Sequence, residues 1–236
     1  MDTLMRTPEG DKALQKYTEK EGESEGFAGY SGMDSTENVA MCCGCTACMC
    51  LIVGNKVYCA NAGDSRCVLS QAHEVVELSN DHKPSNEDEE ARIKKAGGFV
   101  SFDRVNGNLN LSRALGDFTY KESKDLDIEE QMVIPVPEIR TADIDEKTDF
   151  LIIACDGIWD CMSNKKAIEF IQEKYEEFAE LKKEEFKPSD ITSAMFERNI
   201  AENTVGNVSE TGKEGAGWDN MTAVVVFFKK NETKKE

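Results

Sequence analysis

Two apolar runs, each bounded by an aspartate, are the clearest feature in the pattern of hydrophobic and polar positions. One run covers residues 150–155 and ends at Asp156, and the other covers residues 221–228 and follows Asp219. Short runs rich in β-branched and aromatic residues predict buried strands. If the two strands are antiparallel neighbours, both carboxylates lie at one edge of the sheet.

Shorter runs predict further elements along the chain. The expected strands are 45–53, 57–62, 66–70 and 74–78, with short strands on both sides of Asn106-Gly107. The expected helices are 1–20, 86–96, 165–178 and 190–205. Residues 16–38 and 116–131 are polar and predict loops, the first of them mobile. Many hairpins with a few separate helices predict an α+β fold, in which helices cover antiparallel sheets.

The charge balance limits the classes of partner. The chain has 28 basic and 46 acidic side chains, which give a formal net charge of -18 and repel nucleic acid and anionic membranes. A phosphorylated substrate would also be repelled unless cations in its site compensated. No apolar run approaches the roughly 20 residues that span a bilayer, and no signal sequence is recognisable. We therefore expect an intracellular protein without nucleic-acid binding or membrane insertion.

The cysteines are concentrated in residues 42–50, although the chain has nine in all. Without a secretion signal, we expect them to be reduced. Cys45 and Cys48 have the C-x-x-C spacing of zinc ligands, but structural zinc usually takes two separate pairs, and no second pair appears outside this patch. Cys48 and Cys50 alternate as on one face of a strand, and free cysteine is a common small buried hydrophobe. Buried thiols are the favoured interpretation, with a zinc-binding module as a distant alternative.

Four aspartates are candidates for metal ligands. Taken singly, an Asp-Gly after a strand is most often a turn, and an Asp-Asn before a strand is most often a cap. Here Asp156, Asp160 and Asp219 recur at strand ends, and Asp64 also follows a predicted strand. Hard divalent cations such as Mg²⁺ and Mn²⁺ prefer oxygen ligands of this kind. The set therefore predicts a carboxylate metal site.

Several segments resemble the signature segments of the metal-dependent protein serine/threonine phosphatases of type 2C, the PPM family. The two most telling are Ala154-Cys155-Asp156-Gly157-Ile158-Trp159-Asp160 and Trp218-Asp219-Asn220-Met221-Thr222. Others follow in the family's order, among them Gly44-Cys45-Thr46-Ala47, Gly63-Asp64-Ser65-Arg66, Asp81-His82-Lys83-Pro84, Ala96-Gly97-Gly98, Val105-Asn106-Gly107, Leu111-Ser112-Arg113-Ala114-Leu115-Gly116-Asp117 and Pro135-Val136-Pro137-Glu138. The resemblance covers residues 41–228.

The resemblance implies a layered α-β-β-α sandwich of two antiparallel sheets flanked by helices, with a dinuclear Mg²⁺ or Mn²⁺ centre. It implies that a metal-activated water hydrolyses phosphoserine and phosphothreonine in phosphoprotein substrates. Asp156 and Asp219 match metal ligands of the dinuclear centre, whereas Asp64 and Asp160 match positions that bind a further, weaker metal ion in some members. If the full domain is present, we expect a monomer. We expect it in the cytoplasm, with the nucleus as a second location.

The chain also departs from the family pattern. The family's first third contains a phosphate-binding Arg, a Glu-Asp pair and an Asp-Gly-His-Gly-Gly motif with a metal-bridging Asp and a candidate general-acid His, and none of these segments is present. We therefore expect an incomplete phosphatase domain at 41–228, without its N-terminal strands, preceded by a helix and acidic loop at 1–40 and followed by a charged tail at 229–236. No catalytic residue is identifiable. The alternative is a catalytically inactive module that binds phosphoproteins or partners.

Overall fold

The computed structural model of the protein describes residues 1–18, 39–41, 43–181, 187–203 and 217–228. Most of the predicted acidic loop, the charged tail and the predicted end of a helix at Val205 lie outside these residues. The chain forms two compact units, each discontinuous in sequence. The first unit contains Met1–Ala47 and His82–Pro137, and the second contains Cys48–Asp81 and Glu138–Glu236. No helix among the described residues is long and apolar enough to cross a bilayer.

Short strands make up most of the middle of the chain, and the longer helices lie towards its two ends. The helices are α1 (Asp2–Met5), α2 (Pro8–Thr18), α3 (Glu87–Lys95), α4 (Asp156–Trp159), α5 (Asn164–Leu181) and α6 (Ser189–Asn203), with short 3₁₀ helices at Val39–Met41 and Phe118–Tyr120. The strands are β1 (Gly44–Cys45), β2 (Ala47–Val53), β3 (Lys56–Ala62), β4 (Arg66–Gln71), β5 (Glu74–Glu77), β6 (Val100–Ser101), β7 (Arg104–Val105), β8 (Leu115–Gly116), β9 (Glu138–Asp143), β10 (Thr148–Ala154) and β11 (Ala223–Phe227).

The second unit contains two sheets. One has the strand order β11-β10-β4-β5, in which each neighbouring pair is antiparallel, and the other has the order β2-β3-β9. Strand β10 lies inside the larger sheet, so it is hydrogen-bonded on both sides. The prediction that the two aspartate-bounded runs are antiparallel neighbours is confirmed by the pairing of β10 with β11.

Side chains of β10 point alternately to the two faces of the larger sheet, and each face has an apolar core. Phe150 and Ile152 belong to a cluster that also contains Ile168 and Ile171 of α5 and Met195 of α6. On the opposite face, Leu151 packs in a cluster with residues from β3 and β4, namely Val57, Cys59, Cys67 and Leu69. Because successive side chains of a strand point to opposite faces, one strand can serve both cores. This unit is therefore a two-sheet sandwich with helices on the larger sheet.

The first unit has a smaller apolar core and two short strand pairs. Its core contains Ile93, Val105, Ala114 and Val133, all fully buried. Strand β1 pairs with β8 and β6 pairs with β7, both antiparallel. Acidic residues in the first turn of α3 and basic residues in its last turn suit the helix dipole.

Two local predictions need correction. Residues 116–131 are not a surface loop throughout, because Gly116, Asp117, Phe118, Lys121 and Gln131 are buried. Polar side chains of this segment form hydrogen bonds within the unit; for example, the Gln131 amide donates to the carbonyls of Ser123 and Leu126. The β6–β7 hairpin turns at Phe102-Asp103, and Asn106-Gly107 instead connects Val105 to Leu109 through an isolated bridge.

Candidate functional site

The end of β10 brings the candidate aspartates of the second unit to one edge of the larger sheet. Ala154, the last residue of β10, pairs with Ala223 at the start of β11 and with Arg66 at the start of β4. Asp156 lies two residues beyond Ala154, and Asp64 lies two residues before Arg66. Asp219 precedes β11 by four residues. The strand ends therefore place all three at the same edge.

Hydrogen bonds tie the segment before Asp156 to the segment after Asp219. The Cys155 backbone N–H donates to the Thr222 carbonyl at 3.1 Å. The Cys155 Sγ accepts from the Thr222 N–H at 3.2 Å and lies 3.5 Å from the Asn220 carbonyl oxygen. The Asn220 N–H donates to Asp219 Oδ1 at 2.7 Å, which holds that carboxylate against its own backbone. These contacts fix the spacing of the two aspartate segments.

Gly157 is required where these two segments meet. A Cβ added at this position would collide with the Asn220 carbonyl oxygen and crowd the Met221 side chain. Gly157 is buried, and Asp156 next to it begins the short helix α4 at the end of the strand. The absence of a side chain at residue 157 therefore permits the close approach of the Asp156 and Asp219 segments.

Asp64 and Asp160 differ from the first two aspartates in their surroundings. Asp64 is buried in the turn between β3 and β4, with 4% of its surface exposed. Asp160 follows α4 as its C-cap residue, is half-buried, and its charge acts on the Arg66 guanidinium. Arg66 itself donates two hydrogen bonds of 2.9 Å to the Asp81 carboxylate. The result is an acidic edge beside the half-buried guanidinium of Arg66.

The donor set fits a hard divalent cation in its chemistry. The four side chains offer carboxylate oxygens, which Mg²⁺ and Mn²⁺ prefer, and the edge of a rigid sheet gives way here to loops. In the described part of the chain, the one group of three metal-ligating side chains within 4.8 Å of one another is made of the thiols of Cys50, Cys59 and Cys67, not of these aspartates. The assignment of Asp64, Asp156, Asp160 and Asp219 as metal ligands stays a prediction.

Comparison with known proteins places the chain in a family. The family model described as Protein phosphatase 2C matches residues 7–208. The chain belongs to the protein phosphatase 2C family. The match includes Asp64, Asp156 and Asp160 but stops before Asp219.

Relatives of this protein phosphatase 2C chain come from plants and fungi, among other groups. "Probable protein phosphatase 2C 11" of Oryza sativa subsp. japonica is 40% identical over 239 residues, which cover 100% of this chain and 59% of the relative. "Protein phosphatase 2C homolog 2" of Hypocrea jecorina is 47% identical over 193 residues, which cover 82% of this chain and 41% of the relative. The chain thus spans about half the length of the curated relatives it matches.

Solved structures of the family support the fold class. A phosphatase from a pathogenic strain of Toxoplasma gondii is 30% identical, with a TM-score of 0.59, and covers 76% of this chain and 50% of its own. The serine-threonine phosphatase 2C from Toxoplasma gondii has a TM-score of 0.61 at 22% identity and covers 94% of this chain and 64% of its own. With the antiparallel sheets and helices described above, these likenesses confirm the predicted α+β phosphatase fold.

The first unit contains a buried ionic cluster that sequence reasoning missed. Asp2 and Lys121 form an ion pair of 2.6 Å, and both are buried. Asp2 also accepts from the Gly116 N–H at 3.0 Å, next to the buried Asp117. Burial lowers the pKa of Lys121 against the opposing effect of Asp2, and burial raises the pKa of Asp117. The local signal in the sequence was the pair Gly116-Asp117, since Gly and Asp tolerate the left-handed backbone that both adopt, with φ 78° and 51°.

Proposed function

We propose that this chain acts in the metal-dependent hydrolysis of phosphoserine and phosphothreonine in proteins. The observation that carries the proposal is the register of β10 and β11, which brings Asp156 and Asp219 to one sheet edge in a member of the protein phosphatase 2C family. Mg²⁺ or Mn²⁺ bound there would lower the pKa of a water ligand and neutralise phosphoryl oxygens. With the full domain present, the protein would act on phosphoproteins as a monomer in the cytoplasm, with the nucleus as a second location.

Each aspartate has a distinct part in this proposal. Asp156 and Asp219 hold the two main cations, and Asp64 and Asp160 hold a further, weaker ion. Clustered carboxylates repel one another unless a cation neutralises them, and the net charge of -18 adds to the repulsion of a phosphorylated substrate. Bound cations would therefore serve substrate binding as well as chemistry. The hydrogen bonds of Cys155 keep the Asp156 and Asp219 segments at their spacing while the ions bind.

A second candidate function rests on the sequence itself. The phosphate-binding Arg, the Glu-Asp pair and the Asp-Gly-His-Gly-Gly segment of the family do not occur in these 236 residues. A two-metal site without its bridging carboxylate should bind cations weakly, so we expect little or no turnover by this polypeptide alone. The alternative is therefore a phosphatase-like module that binds phosphoproteins or partners without hydrolysing them.

The deciding experiment measures Mn²⁺-dependent hydrolysis of a phosphothreonine peptide. It compares the 236-residue chain with a hybrid in which the upstream segment of a curated relative, carrying the Arg, Glu-Asp and Asp-Gly-His-Gly-Gly motifs, precedes Met1. We expect turnover by the hybrid and a loss of at least about 100-fold on Asp156→Asn, since each metal contributes several kcal/mol of charge stabilisation. The control Asp143→Asn changes an exposed aspartate that pairs with Lys56 on the other sheet, and should leave turnover unchanged.

The outcomes separate the two candidates. Rapid turnover by the 236-residue chain, abolished by Asp156→Asn, would show that the added family segments are not needed. A folded hybrid that binds the phosphopeptide without turning it over would favour the binding module. Equal activity of the hybrid with and without Asp156→Asn would refute the role of this aspartate.

A further inference from the structure

Four cysteines line the interior of the second unit, between its two sheets. Cys48 and Cys50 lie on β2, Cys59 on β3 and Cys67 on β4. Cys59 and Cys67 are fully buried, and Cys48 and Cys50 are half-buried. The alternation predicted for Cys48 and Cys50 therefore holds, but their partners lie on other strands and could not be found from local spacing.

The thiols lie at the separations expected of metal ligands. The Sγ atoms of Cys50 and Cys67 are 3.3 Å apart, and the three Sγ atoms of Cys50, Cys59 and Cys67 all lie within 4.8 Å of one another. Zinc–sulfur bonds of about 2.3 Å in a tetrahedral site separate the sulfur atoms by about 3.8 Å. That separation falls inside the observed range.

We propose that Cys50, Cys59 and Cys67 bind a thiophilic divalent cation of the Zn²⁺ type. The site lies inside the sandwich, whereas the aspartates lie at a sheet edge and offer hard oxygen ligands. It therefore goes beyond the phosphatase activity proposed above and does not depend on it. Cys45, which the sequence pairs with Cys48, takes no part, because it is exposed and belongs to the first unit.

The electrostatics of the cluster suit a cation that replaces thiol protons. Arg140 of β9 is the cross-strand neighbour of Cys59 on β3, so its positive charge lies beside the cluster. Binding would release the thiol protons to solvent as the thiolates form. Three thiolates around a divalent ion carry one net negative charge, which Arg140 opposes. Without an ion, no such charge can accumulate in an apolar interior.

The residues around the thiols allow a metal ion to reach them and then exclude water from the bound ion. Strand β2 is an edge strand of its sheet, and the half-buried Cys48 and Cys50 lie on it. Around the thiols, the apolar side chains of Val57, Leu69, Leu78 and Leu151 form the rest of the core cluster. Such a shell strengthens thiolate–metal bonds because it limits competition by water. An ion bound here would join β2 and β3 of one sheet to β4 of the other.

The test is a titration of the full chain with Cd²⁺ under a non-chelating reductant. The absorption of thiolate-to-cadmium charge transfer reports thiolate binding and is silent for carboxylates. We expect one Cd²⁺ per chain, displaced by Zn²⁺, and one zinc per chain by elemental analysis of the Asp156→Asn variant. Cys59→Ser and Cys50→Ser should weaken binding at least about 10-fold, since loss of even an outer-shell partner costs roughly 10–100-fold. Cys45→Ser and Cys155→Ser should bind as the parent does.

Folding controls keep the outcomes interpretable. Thermal melting followed by circular dichroism shows whether each variant folds. If Cys59→Ser does not fold, Cys50→Ser, at a half-buried position, tests the proposed metal site instead. Absence of the charge-transfer absorption in the parent chain would show that the thiols only fill space. Undiminished absorption in folded Cys50→Ser, or its loss in Cys45→Ser or Cys155→Ser, would assign the metal to other cysteines and overturn the proposal.

Discussion

At the scale of single residues, Gly157 gives the sharpest prediction for the aspartate site. Gly157→Ala should weaken Mn²⁺ binding at least about 10-fold, because the new Cβ pushes against the Asn220 carbonyl and moves the Asp219 segment. Overpacking of a buried position should also cost about 1–3 kcal/mol of the free energy of unfolding. Isothermal titration with Mn²⁺ measures the first effect and urea unfolding the second.

The matched control is Gly97→Asn. Gly97 has φ 87° with open space around it, and asparagine tolerates the left-handed region better than other residues. We expect Mn²⁺ binding of this variant to equal that of the parent. Parental Mn²⁺ affinity in Gly157→Ala would show that the contact does not position Asp219.

Glu89 in the first unit is the basis of a prediction on pH. Its buried carboxylate accepts from Arg92 and Arg113, each at 2.7 Å, and from the Ser112 hydroxyl. Burial raises the pKa of Glu89, but these hydrogen bonds outweigh it and lower the pKa from 4.5 to about 2. The ionised form is therefore stabilised by about 3 kcal/mol, at 1.36 kcal/mol for each pH unit. This contribution is complete above pH 4.5 and is lost as the pH falls towards 2.

Glu89→Gln should accordingly lower the free energy of unfolding by about 3–5 kcal/mol at neutral pH, because two half-buried arginines lose their buried counter-charge. The difference from the parent should shrink below about pH 4, as followed by urea unfolding with far-UV circular dichroism. Glu90→Gln is the control, since its pair with Lys94 is exposed and such pairs contribute at most about 1 kcal/mol. A pH-independent difference would refute the ionic origin of the effect.

Sequence reasoning at this scale succeeded for Asp156 and Asp219 as strand-end neighbours and failed for Asp2 and Lys121. The first pair follows from local pattern, since an apolar run and its bounding residue are contiguous. The second pair is separated by more than a hundred positions, and each member alone has the polarity of a surface residue. A charged group is buried only when an oppositely charged or hydrogen-bonding partner accompanies it. That partner lies too far away in the sequence for a local pattern to reveal it.

At the scale of elements, Arg66 joins β4 to the start of α5. Besides its two bonds to Asp81, it donates to the Asn164 side chain and lies 5.2 Å above the Trp159 ring. Arg66→Lys keeps the charge but cannot make the two parallel bonds. We expect the free energy of unfolding to fall by about 1–3 kcal/mol, measured by urea unfolding with tryptophan fluorescence.

The control is Lys56→Gln, which removes an exposed pair with Asp143 and should change the free energy of unfolding by less than about 0.5 kcal/mol. Equal losses of stability in Arg66→Lys and Lys56→Gln would contradict the prediction.

The β6–β7 hairpin shows why element boundaries were harder to predict than elements. Asn106-Gly107 has the composition of a two-residue turn and does adopt left-handed backbone, with φ 51° and 76°. Phe102-Asp103 adopts the same conformation without that composition, with φ 51° and 57°. The pairing of β6 with β7 puts the hairpin turn at Phe102-Asp103. Strand pairing therefore outweighed the turn preference of Asn106-Gly107. Strand β9 was missed because half of its residues are exposed on an edge.

At the scale of the whole molecule, the outer face of the three-stranded sheet is apolar and exposed. Its members are Met49, Leu51, Val53, Tyr58 and Ile139. Contiguous apolar surface on an edge-bearing sheet favours association. We expect Leu51→Lys to reduce concentration-dependent self-association in sedimentation velocity, with Ala13→Lys on the exposed side of α2 as the charge-matched control. A parent chain that sediments as a monomer at every concentration would contradict this prediction.

The hydrogen bond from the Cys155 N–H to the Thr222 carbonyl makes it possible to measure how often the Asp156 and Asp219 segments separate. Amide protons in such bonds exchange with deuterium when the bond opens locally. This amide lies directly between β10 and Asp156. Its exchange rate therefore reports the frequency with which the bond between the two aspartate segments opens. A slow exchange, matching that of the β10 amides, would mean that the acidic edge opens only when the sandwich itself unfolds.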